Sequence, residues 1–224
     1  MIFNDRSLSE ISLDDILILI ANRFPEGPNL DYKLTAYSGR PQDIREMLRD
    51  VIAMANADGG YIILGIEEKN GRATNLAPFI DYDTKANAIL QASLDGISER
   101  IKGLEVRAYN TSGDQGIIVL HIPSSSNRPH MVSRDGHTDF FKRWDTLKRP
   151  MGIEEIRWSI FENPQFRQFI ELQLEAQRAQ ERTKTMEEVG GSLFLEILTS
   201  RFVERFLIEF MRASNKPQVM MILS

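Results

Sequence analysis

Ile52-Ala53-Met54-Ala55-Asn56-Ala57-Asp58-Gly59-Gly60-Tyr61-Ile62-Ile63-Leu64-Gly65-Ile66-Glu67-Glu68 is the stretch on which the fold turns. Upstream of it Ile44, Met47, Leu48 and Val51 continue into Ile52 and Met54 at the helical period, with Arg45, Glu46, Arg49 and Asp50 on the opposite side. The spacing predicts a helix over 41–57. Asn56-Ala57-Asp58-Gly59-Gly60 ends it, adjacent glycines supplying a left-handed cap and a tight turn, with Asn56 read as a cap of that turn. Tyr61 to Ile66 is then a continuous apolar run of strand length. A run without polar alternation is expected to be buried on both faces and central in a sheet.

Working outward, Leu30 to Leu34 reads as a short strand before the helix. A first helix lies within 9–24, with Ser12 as its N-cap and Asp14 and Asp15 suited to its positive end, and Pro25-Glu26-Gly27-Pro28-Asn29 breaks it. Downstream, Lys69-Asn70-Gly71-Arg72 is a turn and 81–101 an amphipathic helix through Ala88, Ile89, Leu90, Leu94 and Ile97. Strands at 104–110 and 116–122 form a hairpin, 123–138 is a polar loop, and Phe140-Phe141-Lys142-Arg143 is a further short strand. From Gly152 a helix runs to the Asn163-Pro164 break. This order predicts the α/β class with a mixed, partly parallel sheet. Residues 165–188 read as a long exposed helix or connector, and 192–214 as a strongly apolar helix that needs a partner. Two regions follow: an α/β domain over 1–163 and a C-terminal helical tail over 164–224. The apolar helix 192–214 needs either the first domain or another chain, and the tail is expected to associate through it, as a homo-oligomer or with a partner protein.

Composition bounds the function. With 42% hydrophobic and 26% charged residues, global disorder is excluded. The longest apolar runs, such as 16–21, fall short of the roughly 18 to 20 residues a bilayer needs, so no membrane association is expected. Asp5, Glu10, Asp14 and Asp15 stand where a secretory leader would be cationic, and a cytoplasmic location is expected. The absence of cysteine excludes disulfides, thiolate zinc sites and cysteine nucleophiles. A net charge of -5 argues against a surface that coats nucleic acid everywhere, while leaving room for a local basic patch.

Two groups of residues carry candidate chemistry. Glu26, Asp31, Glu67 and Glu68 lie at the ends of neighbouring strands, and Asp31 and Lys33 project to one side because strand residues alternate. Converging carboxylates suit Mg²⁺ or Mn²⁺, and an adjacent ammonium suits phosphate charge. On spacing alone the alternative stands beside it: solvated loop acids, with Asp31 paired to Lys33. The second group is Arg128, Arg134, Lys142, Arg143, Lys148 and Arg149, interleaved with Phe140, Phe141 and Trp144. Cations with interleaved aromatics can hold phosphates and stack on bases, the alternative being a solvated loop and edge strand. His130 and His137 read as loop residues rather than metal ligands. The chain has no Gly-x-x-x-x-Gly-Lys-Ser/Thr and no Gly-x-Gly-x-x-Gly, so Gly59-Gly60 reads as a structural turn rather than a phosphate loop.

Leu30-Asp31-Tyr32-Lys33, the run 52–68, Arg128-Pro129-His130, Phe140-Phe141-Lys142-Arg143-Trp144 and Met151-Gly152-Ile153-Glu154-Glu155-Ile156 together resemble the Schlafen AlbA-like domain. That family's marks are a Glu-Phe-Lys strand, Ala-Phe-Ala-Asn-Thr-x-Gly-Gly and an apolar strand ending in Gly-Val-Asp-Asp. The resemblance covers about 10–160 and leaves out the tail. It implies nucleic-acid or ATP binding, as described for bacterial members in regulators and defence loci, or the metal-dependent RNA cleavage of some animal members. Carried over, the nuclease carboxylates fall on Glu26, Asp31 and Glu68, with Lys33 beside them. Asp31 is a methylene shorter than the family's Glu, Glu68 a methylene longer than its Asp, and Tyr32 replaces Phe. The resemblance thus implies a Mg²⁺- or Mn²⁺-dependent nuclease acting on RNA or DNA, of a defence or toxin type, with Glu26, Asp31 and Glu68 as metal ligands. Its alternative is a non-catalytic nucleic-acid or nucleotide (ATP) binding module assembled through the tail.

Overall fold

The computed structural model describes Phe3 and residues 6–184, in two compact units that divide between Ile156 and Arg157. The apolar segment 192–214 lies outside the described residues. In the first unit a 3-10 turn (Leu8–Glu10) precedes α1 (Leu13–Ala21), β1 (Leu30–Lys33), α2 (Pro41–Ala55), β2 (Gly60–Leu64), β3 (Ile66–Lys69), β4 (Arg72–Leu76) and α3 (Tyr82–Gly96). Then come β5 (Ile97–Ser98), β6 (Glu105–Ser112), β7 (Gln115–Ile122), β8 (Met131–Arg134), β9 (His137–Asp139), β10 (Phe141–Trp144), β11 (Leu147–Pro150) and α4 (Ile153–Glu162). The second unit contains α5 (Pro164–Lys184), a long helix where the sequence reading expects an exposed helix or connector. Among the described residues no helix is long and apolar enough to cross a membrane.

The main sheet has the order β1-β2-β7-β6 and is mixed, as the alternation of elements predicts. β1 and β2 are parallel, with Leu30 opposite Tyr61 and Lys33 opposite Leu64, while β7 is antiparallel to both β2 and β6. Parallel neighbours need a crossover, and α2 supplies it. All residues of β2 are buried, as a central strand's should be. Strand alternation then divides the core in two. Ile62, Leu64, Ile118, Leu120 and Ile122 pack with Met47, Leu48, Val51 and Ile52 of α2. Leu30, Tyr32, Tyr61, Ile63 and Val119 pack on the other face with Leu8, Ile11, Ile16 and Leu19. Ser12 caps α1 reciprocally with Asp15, satisfying two helix-end donors.

Three local features depart from the sequence reading. The apolar run 61–66 breaks at Gly65, which has φ +99°, and the chain leaves the sheet into the β3–β4 hairpin. The expected polar loop over 123–138 carries β8 and β9, which join β5 in a three-stranded sheet, and α3 stops at Gly96. β10 pairs with β11 in a separate hairpin. Gly59 and Gly60 are fixed by crowding as well as by φ: a Cβ on Gly60 would meet Asn29 O at 2.3 Å, and one on Gly59 would meet Ser124 N at 2.5 Å. The Tyr61 amide donates to Asn29 O at 2.9 Å, so this close approach begins the β1–β2 pairing. With backbone filling the space above both glycines, they serve the turn rather than a phosphate.

Candidate carboxylate cluster and nucleic-acid interface

Because Leu30 and Tyr32 point into the core shared with α1, Asp31 and Lys33 point to the α2 side. Asp31 is only 6% exposed, and its charge is met by two cations. Arg143 Nη1 lies 3.1 Å from Asp31 Oδ1, and Lys33 Nζ lies 2.8 Å from Oδ2. The Lys33 contact is an ion pair without hydrogen-bond alignment. Lys33 Nζ also stands 3.9 Å from Asp50 of α2. Burial acts to lower the Lys33 pKa, but Asp50 and Asp31 outweigh it and hold the ammonium above its ordinary value. Asp50 is itself saturated: Tyr37 donates its hydroxyl at 2.6 Å and Lys148 its ammonium at 2.5 Å, with Lys148 also 2.6 Å from Glu46.

Glu26 lies on the loop before β1 and Glu68 on β3. The Tyr32 amide donates to Glu26 Oε1 at 2.8 Å, and the Gly71 amide donates to Glu68 Oε2 at 2.6 Å. Burial raises the Glu26 pKa above its ordinary value of 4.5, and the charges of Asp31 and Glu68 add to that rise against the Tyr32 hydrogen bond. Asp31 and Glu68 therefore both stand within electrostatic reach of Glu26. Each is nevertheless turned to a protein donor, and among the described residues no group of three His, Asp or Glu side chains is placed to hold a metal ion. This arrangement does not fit a Mg²⁺ or Mn²⁺ shared by Glu26, Asp31 and Glu68.

The Glu26 shift has a stability consequence of definite sign. A carboxyl whose folded pKa is raised contributes stability below its unfolded value of 4.5, and that contribution is lost as pH rises through the folded value. Glu26→Gln keeps the oxygen that accepts the Tyr32 amide and removes the charge. Its thermal midpoint should exceed that of wild type at pH 7, and the gap should close as the pH falls to 4.5 and below. A constant gap across this range would contradict the assignment.

The β10–β11 hairpin sorts the expected basic patch into two faces. Phe141 lies opposite Pro150, Lys142 opposite Arg149, Arg143 opposite Lys148 and Trp144 opposite Leu147. Directly opposed residues share a face and neighbours alternate. One face carries Phe141, Arg143, Lys148 and Pro150 toward β1 and α2. There Arg143 is buried and spends its donors on Gly27 O, Leu30 O and Asp31, each at 3.1 Å. Lys148 is bound by Glu46 and Asp50, and the Phe141 ring lies 5.2 Å from the Arg49 guanidinium. Arg143 and Lys148, expected as phosphate contacts, are thus internal struts whose charges are already matched.

The other face carries Lys142, Trp144, Leu147 and Arg149. Trp144 is 63% exposed and Leu147 71% exposed. The Arg149 guanidinium lies 5.3 Å from the Trp144 ring centroid and reaches both oxygens of Glu155, at 2.8 and 3.0 Å. The Gly152 amide leads in holding the Glu155 pKa below its ordinary value, and Arg149 adds to the effect. Elsewhere Arg128 donates to Ala57 O at 3.1 Å, and Arg134 Nε lies 3.6 Å from its neighbour Asp135. The expected residues therefore divide among the carboxylate cluster, the hairpin's outer face and separate loop positions.

Asn56, expected as a cap of its own turn, is fully buried and reaches across to two other segments. Its Nδ2 donates to His130 O at 2.8 Å and Phe141 O at 2.9 Å, and its Oδ1 accepts the His130 amide at 2.7 Å. His130 is buried in the same place, where burial lowers its pKa. Asp50 and Tyr37 were also missed as members of the carboxylate region. Asp50 was legible only as one of the polar positions of α2, a pattern shared by any solvated helix face.

A family model described as Schlafen, AlbA_2 matches residues 26–152, a span holding the carboxylate cluster and the hairpin. No curated protein matches. Among solved structures, the crystal structure of the DIP2311 protein from Corynebacterium diphtheriae is similar at 19% identity, with a TM-score of 0.39 over 61% of this chain and 25% of that one. The likeness thus spans about a quarter of that protein's length.

Proposed function

As the chain belongs to the Schlafen AlbA_2 family, we propose that it is a nucleic-acid-binding domain that holds its ligand through the outer face of the β10–β11 hairpin. The observation that carries this reading is the placement of Lys142 and Arg149 directly opposite each other on the face that presents Trp144. Arg143 and Lys148 are taken up by Asp31, Glu46 and Asp50, whereas Lys142 and Arg149 lie on the outer face, Arg149 beside Glu155, where a phosphate backbone can reach them. The net charge of -5 is consistent with such confinement, since it limits attraction for polyanions to a local patch.

Phosphate contacts release counterions on binding, so affinity should fall with rising salt. Titration of labelled oligonucleotides by fluorescence anisotropy is expected to show this fall. Lys142→Gln combined with Arg149→Gln should weaken binding about tenfold and flatten the salt dependence. Unchanged affinity and slope in the double variant would overturn the reading.

A second reading, cleavage of RNA or DNA in a defence or toxin role, is favoured by the burial of Glu26, which raises its pKa, with the charges of Asp31 and Glu68 adding to the rise. Loss of cleavage in the folded Glu26→Gln protein would support it. The absence of cleavage by the wild-type protein with Mg²⁺ or Mn²⁺ supplied leaves the binding reading alone.

A further inference from the structure

Resting on that nucleic-acid reading, we infer that Trp144 is a stacking shelf for unpaired bases and that the ligand class is single-stranded nucleic acid. The hairpin exposes two large apolar side chains side by side at its tip, Trp144 and its cross-strand neighbour Leu147. Elsewhere in the same unit the aromatic Tyr61 and the aliphatics of β2 and β7 are fully buried. An adjacent exposed pair flanked by cations is the composition of a base-stacking surface, where rings meet bases and ammonium or guanidinium groups meet the intervening phosphates.

The geometry is held in advance. Arg149 covers one side of the indole at 5.3 Å and is itself fixed by two bonds to Glu155, whose carboxylate also accepts the Gly152 amide at 3.0 Å. Beneath the strand, Arg143 is bound to Gly27, Leu30 and Asp31, and Lys148 to Glu46 and Asp50. The hairpin that carries Trp144 is therefore braced through its inner face, so the strand itself needs little ordering when a base arrives.

A base stacks on such a shelf only when its own face is free. In a duplex the faces are occupied by neighbouring base pairs, so an indole on a projecting hairpin meets only backbone. Lys142, across the strand from Arg149, then places a second cation for the phosphates that flank the stacked nucleotide. The shelf tolerates any base, because every base offers a π-face, and selectivity for strandedness exceeds selectivity for sequence.

The test uses the full chain with a uridine-rich single-stranded RNA, a thymidine-rich single-stranded DNA and a duplex of equal length. The chain has two tryptophans, so Trp158→Phe leaves Trp144 as the sole indole reporter. Single strands are expected to quench its emission, and the duplex is expected to leave it nearly unchanged. Trp144→Ala should lower single-strand affinity by about tenfold to a hundredfold and duplex affinity by less than about twofold, with Trp144→Phe retaining most of the binding. Because Trp144 is exposed, thermal midpoints should be unaltered. Equal losses for single strand and duplex, or no loss for either, would overturn the inference. If binding responds to Lys142→Gln and Arg149→Gln but not to Trp144→Ala, the stacking inference alone falls. If the wild-type chain binds no nucleic acid, the reading beneath it falls as well.

Discussion

Asn56→Ala is expected to cost about 3 to 5 kcal/mol of unfolding free energy, measured as a lower denaturant midpoint at unchanged slope. The side chain is fully buried and saturates three backbone groups: the amide and carbonyl of His130 and the carbonyl of Phe141. Alanine fills none of those roles, and each buried backbone group left without a partner costs about 1 to 3 kcal/mol. The loss is partly offset where the groups find water, which keeps the sum below the simple total. Asn56→Asp is a sharper variant. It preserves the acceptor for the His130 amide but turns a second oxygen toward two carbonyls, so it should be at least as damaging at neutral pH. Amide exchange should then rise first at β8 and β10, the segments that Asn56 ties to the end of α2. A midpoint within about 0.5 kcal/mol of wild type, the range of surface substitutions, would show that the three bonds contribute nothing to the fold.

How much of this was legible in the sequence follows from what kind of signal each feature emits. The β1–α2–β2 unit was readable because apolar spacing reports which face is buried, and burial is what the fold selects on. The tight turn at Gly59-Gly60 was readable because two glycines stand where no Cβ fits. β8 and β11 were not readable, since Met131-Val132-Ser133-Arg134 and Leu147-Lys148-Arg149-Pro150 are short runs set among polar and turn residues, without the apolar or aromatic cluster that marks β1 and β10. For Asn56 the residue type was informative and the destination was not: an amide at a helix end caps its own turn in most settings, and its reach to His130 depends on a loop brought there by tertiary packing. The carboxylate cluster failed in the opposite way. Asp31 and Glu68 both act on Glu26, but spacing fixes where Cα atoms go and leaves the carboxylates to whichever donors are nearest. Here those donors are the Tyr32 and Gly71 amides, Lys33 and Arg143. The basic patch could have been divided from the sequence, since Lys142 and Trp144 alternate with Phe141 and Arg143. A phenylalanine destined for the core marks its own parity as the inner one.

Arg143→Met should destabilise the domain by about 3 to 5 kcal/mol, the usual cost of leaving one partner of a buried ion pair uncompensated. Asp31 would retain only Lys33, and the carbonyls of Gly27 and Leu30 would keep only the backbone amides they exchange with each other. Asp31→Asn alone should cost less, because the amide oxygen still accepts from the guanidinium, although its own N–H donors then oppose the Lys33 ammonium. The double variant separates charge from packing. If the ion pair dominates, Asp31→Asn in the Arg143→Met background should recover about 1 to 3 kcal/mol, a non-additivity typical of contacting residues. Strict additivity would mean that Arg143 acts through the two carbonyls alone, tying β10 to the entry of β1 without regard to the charge on Asp31. The distinction bears on function. A strut held by carbonyls supports the hairpin whatever happens at position 31, whereas one held by charge makes the carboxylate cluster part of the mount for Trp144. Under the second arrangement, changing Asp31 should weaken single-strand binding from the far side of the strand, without removing any atom that the nucleic acid touches.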